Sequence, residues 1–174
     1  MKIGRVITGY LEENCYVISD EKTCLVIDPG DDYDKIEKEI AGKKVLAVLI
    51  THLHHDHIGA LRHFLKKRSI KIFKKGNLEE KEYTIGNFTF TAIFTPGHSE
   101  DSVTYYFKDI NTMFVGDFVF EGTVGRCDLP GGNEEKMKQS IEKLKTYPED
   151  TRLLPGHYEE TTIKDEIANN IYFK

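Results

Sequence analysis

The chain is short of cysteine, of long apolar runs, of basic stripes and of linker-like stretches, and each shortage removes a class of protein. Its three cysteines, Cys15, Cys24 and Cys127, are odd in number and show no CxxC spacing, which excludes a disulfide framework and a thiolate zinc site. Cys15 and Cys24 fall in apolar strand-like runs and read as small core hydrophobes. No run approaches the roughly 20 apolar residues that cross a bilayer, and the opening MKIGRVITGYLEENCYV lacks the basic and then apolar segments of an export signal. A soluble, cytoplasmic protein without membrane contact is the expectation. The 29 acidic and 24 basic residues give a net charge of −5 and are interspersed, so nucleic acid is not an expected partner. Short runs such as Lys66-Lys67-Arg68 and Glu79-Glu80-Lys81-Glu82 read as solvated faces.

With neither a short-period repeat nor a low-complexity linker, the 174 residues read as one domain over 1–174. A domain of that length buries about 70% of its unfolded surface and needs no cross-links.

What the sequence does contain is an alternation of blocks. Lys2–Thr8 reads as a strand, and Cys15–Ser19 with Thr23–Asp28 as a hairpin, stopped by Asp28-Pro29-Gly30. Ile36 and Ile40 are spaced for a helix over 34–40, and Val45–Ile50 is a continuous apolar run suited to a buried strand. Ile58, Leu61, Phe64 and Leu65 share one face of a helix predicted over 58–67. A second β-rich block follows in Ser69–Phe73, Asn87–Phe94, Val103–Phe107 and Asn111–Val115. A helix over 133–144 has Met137, Ile141 and Leu144 on one face and Asn133 as its N-cap. Arg152–Leu154 is a last strand, and Thr161 or Thr162 caps a final helix through Ala168. Two sheets with helices outside them, a four-layer αβ/βα sandwich of the α/β (α+β) class, best cover these faces. Tyr10, Tyr16, Phe118 and Phe120 are read as core packing in preference to site lining.

Six of the seven histidines fall in three short loops, each after a strand-like run: His52, His54, His55 and His57, then His98, then His157. The seventh, His63, lies mid-helix and reads as structural. Four imidazoles and the carboxylate of Asp56 within six residues repel one another on protonation, and a cation is the simplest compensation. Imidazole and carboxylate without sulfur suit Zn²⁺, and also Fe or Mn, at a catalytic centre.

The segment Thr51-His52-Leu53-His54-His55-Asp56-His57 resembles the HxHxDH signature of the metallo-β-lactamase superfamily. The likeness continues in order through Thr95-Pro96-Gly97-His98, Val115-Gly116-Asp117 and Leu154-Pro155-Gly156-His157, and Asp28-Pro29-Gly30 is similar to the strand end that precedes them. The resemblance implies the αβ/βα sandwich and two metals, most simply two Zn²⁺. One would take His52, His54 and His98, the other Asp56, His57 and His157, with Asp117 and a water bridging. His55 occupies the variable position of the motif and implies an outward-facing or outer residue. Asp56 and Asp117 are the implied catalytic carboxylates.

Superfamily resemblance leaves the substrate open. Gly116–Phe120 and Gly125–Gly132 resemble the short bacterial glyoxalase II-like branch, which hydrolyses thioesters such as S-lactoylglutathione. A small-molecule thioester is therefore the expected partner, with Arg126 a candidate for a substrate carboxylate or for a loop ion pair with Asp128. The long glyoxalase II type carries a further helical domain, whereas only Tyr158–Lys174 follow the last ligand here. A second reading is a persulfide dioxygenase, with one iron on His52, His98 and Asp117; a third is an inactive metal-binding module. A secreted β-lactamase would bring an export signal, an RNA-processing nuclease a basic arm, and a flavodiiron protein Glu in place of His54. The chain is expected as a monomer or homodimer.

Overall fold

The computed structural model describes all 174 residues. Strands β1 (Lys2–Thr8), β2 (Glu13–Ser19) and β3 (Thr23–Ile27) lead to helix α1 (Tyr33–Ile40) and strand β4 (Lys44–Leu49). Helices α2 (His55–Ile58) and α3 (Leu61–Lys67) come next, then β5 (Lys71–Phe73) closes the first sheet in the order β1-β2-β3-β4-β5. The second sheet uses β6 (Glu82–Ile85), β7 (Phe88–Phe94), β8 (Val103–Phe107) and β9 (Thr112–Gly116). A small hairpin of β10 (Val119–Phe120) and β11 (Thr123–Val124) precedes helix α4 (Glu134–Leu144). β12 (Arg152–Pro155), β13 (Thr161–Thr162) and α5 (Ile163–Asn169) complete the chain, giving the order β13-β12-β9-β8-β7-β6.

Residue alternation sorts the faces. Tyr16, Ile18, Leu25, Ile27, Ala47 and Leu49 turn inward and meet Phe88, Phe90, Tyr105, Phe107 and Phe114 of the second sheet. The intervening Cys15, Val17, Cys24, Val26 and Val48 turn outward against Ile36, Ile40 and Phe64 of the helices. On the far side, Met113, Val115 and Leu153 pack on Met137, Ile141 and Leu144 of α4 and Ile163 of α5. Both sheets are thus covered on both faces, which is why β2, β8 and β9 are buried at every position. This is the four-layer αβ/βα sandwich that the sequence predicts. Cys15 and Cys24 are core residues, as expected.

Two local expectations need correction. The helix expected over 58–67 is broken at Gly59-Ala60, because the Ala60 amide donates to the carbonyls of Pro29 and Gly30 rather than continuing a helix. Leu65, expected on the buried face, is 46% exposed in consequence. Tyr10 is not a core residue either: it stands 97% exposed at the turn between β1 and β2, whereas Tyr16, Phe118 and Phe120 are buried. The sequence pattern does not predict β6, the β10–β11 hairpin or β13, all edge or two-residue elements.

The sheet directions set up one functional end. β7 and β9 each run antiparallel to β8, and β12 runs parallel to β9, so β7, β9 and β12 all finish at the same edge. There the sheets are bolted together by polar bonds: the Val103 amide donates to Thr51 O at 2.8 Å, and the hydroxyls of Tyr105 and Tyr16 donate to Ile50 O at 2.7 Å and Pro155 O at 2.8 Å.

Asn133 caps α4 as expected, its side chain accepting from the Lys136 amide at 2.9 Å. Asn133→Ala should lower the unfolding free energy by about 1 kcal/mol in chemical denaturation without changing metal content.

Candidate metal centre

Each histidine loop leaves the end of a strand. Two residues, Ile50 and Thr51, separate His52 from the end of β4, His54 caps α2, and Asp56 and His57 lie on that helix. His98 follows β7, Asp117 follows β9 and His157 follows β12. The structure brings all seven together. His52 Nε2 and His98 Nε2 each lie 3.0 Å from His54 Nδ1. His157 Nε2 lies 3.2 Å from Asp56 Oδ2, and His57 Nε2 3.3 Å from Asp117 Oδ1. Asp117 Oδ2 stands 3.6 Å from both His98 Nε2 and His157 Nε2, so this carboxylate lies between the two groups. His55 is exposed and outside the cluster, and His63 stacks on Tyr33.

The outer nitrogens determine what the inner ones can do. His98 Nδ1 donates to the carbonyl of Arg126 at 2.8 Å, and His157 Nδ1 to that of Leu11 at 3.1 Å. His57 Nδ1 lies 2.9 Å from Asp28 Oδ2 and donates to it. The Thr51 hydroxyl has one proton, which it gives to Asp28, so it accepts from His52 Nδ1 at 3.1 Å. With Nδ1 committed outward, His52, His57, His98 and His157 turn Nε2 towards the cluster, where His52 and His98 meet His54 Nδ1 and His57 and His157 meet the carboxylates of Asp117 and Asp56.

These contacts do not satisfy every atom of the array. His57 Nε2 and Asp117 Oδ1 are buried and have no hydrogen-bond partner, an expensive state for polar atoms. The nitrogen pairs at 3.0 Å approach the separation that imidazoles take around a tetrahedral ion held at about 2.0–2.1 Å. His52, His54 and His98 form one group with ligand atoms within 4.8 Å, and Asp56, His57 and His157 another, with Asp117 grouped with His52 and His57. The donor set therefore fits divalent cations.

The electrostatics of the metal-free protein agree. Burial, reinforced by the neighbouring imidazoles of His57, His98 and His54, holds His52 well below its ordinary pKa, and burial likewise lowers His54. Burial disfavours charge on His57 as well, but its contacts with Asp117 and Asp28 outweigh it and raise that pKa well above normal. Asp56 is lowered to about 2, chiefly by its hydrogen bond with His157. Burial would raise Asp117, but His57 and the other imidazoles lower it instead. Burial would lower His157, but its hydrogen bond with Asp56 and the charge of Asp117 outweigh it and raise that pKa too, so a cluster with ionised carboxylates and two readily protonated imidazoles exchanges protons for a cation on loading.

Arg126 is placed differently from the seven. Its guanidinium forms a two-point ion pair with Asp128, at 2.7 and 2.6 Å, with both side chains exposed, while its backbone carbonyl orients His98. The sequence alone points to no role for Thr51, Glu13 or the carbonyls of Arg126 and Leu11, and to Asp28 only as part of a strand end. Asp28 carried the one usable signal, an acidic residue closing a strand just as the ligand loops do.

Two sheets with a histidine and carboxylate cluster at their shared edge define a metallo-hydrolase of the sandwich class. Residues 8–81 and 74–157 match the family model described as the metallo-beta-lactamase superfamily, and the chain belongs to that superfamily. It is 36% identical to "Probable metallo-hydrolase YqgX" of Bacillus subtilis (strain 168), over 98% of this chain and 96% of that one. It is 32% identical to a hydroxyacylglutathione hydrolase of Chromohalobacter salexigens, over 76% of this chain and 56% of the relative. Among solved structures, the BLEG-1 B3 metallo-beta-lactamase superposes with a TM-score of 0.94 at 30% identity, covering 99% of this chain and all of that one. TTHA1623 in a di-iron-bound form superposes at 0.90 with 29% identity, covering 97% and 99%. No helix is long and apolar enough to cross a membrane.

Because a cation would give the buried, unpartnered His57 Nε2 and Asp117 Oδ1 a partner, zinc should raise the unfolding midpoint of chelator-treated protein. The gain is about 2.7 kcal/mol at a free metal concentration of about 100 times Kd. Asp117→Ala, which removes the shared carboxylate, should lose most of that gain in the same thermal scan.

Proposed function

We propose that the protein hydrolyses thioesters of the S-lactoylglutathione type at a two-metal site. The observation that carries this reading is the pair of inward-facing ligand groups, His52, His54, His98 and Asp56, His57, His157, with Asp117 between them. Two Zn²⁺ are the simplest occupants, and the nitrogen and oxygen donors also accept Fe or Mn. Such cations lower the pKa of a shared water from about 15.7 towards about 7 and polarise a scissile carbonyl.

The chain's own groups do the rest. Asp117 keeps negative charge at the centre of the cluster. Asp56, ionised at neutral pH, directs one oxygen at His157 and has its other oxygen to accept a proton and orient the attacking water. The carbonyls of Arg126 and Leu11 and the carboxylate of Asp28 hold three imidazole rings in place, so little reorganisation is needed as charge develops. A thioester suits this machinery because thiols have pKa values of about 8.5, so a thiolate departs without a strong acid to protonate it. The likeness to a hydroxyacylglutathione hydrolase supports the same substrate class.

The dioxygenase reading uses only His52, His98 and Asp117 and leaves the buried His57 and half-buried His157 without a task. The test is elemental analysis beside a hydrolysis assay with S-lactoylglutathione, with Asp117→Ala and a β-lactam as controls. About two metals per chain and thioester turnover lost in the variant are expected. One iron, with oxygen consumed on a persulfide, would replace this reading with the dioxygenase, and turnover of the β-lactam alone would reassign the substrate.

If Arg126 engages a substrate carboxylate, the anion must compete with Asp128 for the guanidinium. Arg126→Ala should then raise KM severalfold and leave kcat within about twofold, as expected for loss of a binding contact made equally in the ground and transition states. Steady-state kinetics with the same thioester measures both.

A further inference from the structure

Behind the ring of His57, on the side away from the cluster, lies a second carboxyl group that the chemistry above does not use. Glu13 opens β2 and is fully buried. It faces Thr8 across the β1–β2 pair, and its Oε2 accepts the Thr8 hydroxyl at 2.7 Å while Thr8 Oγ1 accepts the Asp31 amide at 3.0 Å. Space for it exists because residue 30 is glycine: a Cβ there would collide with Glu13 Oε2 and with the carbonyl of Asp56. The other oxygen, Oε1, has no hydrogen-bond partner and points to within 3.9 Å of His57 Nδ1. Glu13, Asp28 and His57 together bring ligand-type atoms within 4.8 Å in the interior.

A buried carboxyl oxygen without a partner is costly unless positive charge offsets it. No lysine or arginine lies within ion-pair distance of Glu13, and His57 is its only neighbour able to carry charge at that range. The one further source of positive charge is a cation held on the opposite nitrogen of the same ring. His57 Nε2, itself buried and unpartnered, faces the cluster at that point.

We infer that Glu13 is a positioning residue for the second cation: with Asp28 it surrounds His57 Nδ1 with carboxylate oxygens, keeps Nε2 bare towards the cluster, and offsets the charge bound there. It touches neither substrate nor metal. The effect belongs to the group Asp56, His57 and His157 and not to His52, His54 and His98. The inference rests on the two-metal reading above.

Chelator-competition titration of the full-length protein with zinc, in wild type and Glu13→Gln, resolves the two binding steps. One step should weaken by about 10- to 100-fold, the range typical of a lost outer-shell partner, with the other changed less than about twofold. The melting midpoint of the metal-free variant should stay level, because glutamine keeps the length of the side chain and its amide oxygen can accept the Thr8 hydroxyl. A purely structural role predicts the reverse, a lower midpoint with both affinities kept. If Glu13→Gln does not fold, Glu13→Met, of similar length and uncharged, replaces it. On a His157→Ala background, which keeps only the first group complete, Glu13→Gln should leave the remaining step unchanged. Equal affinities in wild type and variant overturn the inference and leave the two-metal reading standing. A wild-type protein that binds one zinc or none overturns that reading, and the inference with it.

Discussion

Everything at the functional end depends on outward-committed protons. Four imidazoles can turn Nε2 inward at one edge of the sandwich because each outer nitrogen has an acceptor assigned to it. Those acceptors are the Arg126 and Leu11 carbonyls, the Asp28 carboxylate and the Thr51 hydroxyl. Removing the acceptors would let the rings rotate and satisfy one another, and the cluster would become an ordinary hydrogen-bonded patch. With them in place the inner nitrogens stay turned towards one centre, the arrangement that ligands of a shared cation need.

That arrangement needs a stiff frame, and the frame is apolar. The phenylalanine-rich layer between the sheets holds the two sheet planes together, and the helix-facing layers stop either sheet from sliding. At the metal edge the apolar layer gives way to buried polar bonds from Tyr16, Tyr105 and the Val103 amide, each crossing from one sheet to the other. These bonds tie the loop carrying His52 to the sheet carrying His98, Asp117 and His157. Glycines then permit the close approaches. A side chain at position 156 would occupy the space between Asp117 and His57, and one at position 125 would strike the carbonyl of Asp117.

Much of this was legible in the residues alone. The period-two runs and the continuous apolar run of 45–50 predict strands that the structure contains, and Asn133 and Thr162 cap helices as expected. Superfamily membership, which the motif order implies, is established by the family match and by the relatives. The failures share a cause. The break at Gly59-Ala60 comes from carbonyls of Pro29 and Gly30, about thirty positions away in the chain, and Tyr10 is exposed because a turn projects it outward. Strands as short as β10, β11 and β13 owe their existence to pairing partners, which no local pattern encodes.

By itself, then, the sequence determined the donor chemistry and its order along the chain: imidazole and carboxylate, no sulfur, each group released at a strand end. Those are local properties, carried by residue type and by the switch from apolar run to glycine-rich loop. Only the tertiary structure decided which nitrogen of each ring faces inward, that Asp117 stands between two groups, that the Arg126 side chain turns to Asp128 while its carbonyl serves His98, and that Glu13 lies behind His57. Each of these depends on contacts between residues far apart in the chain, and proton direction in an imidazole is set by whatever acceptor folding brings to its other side.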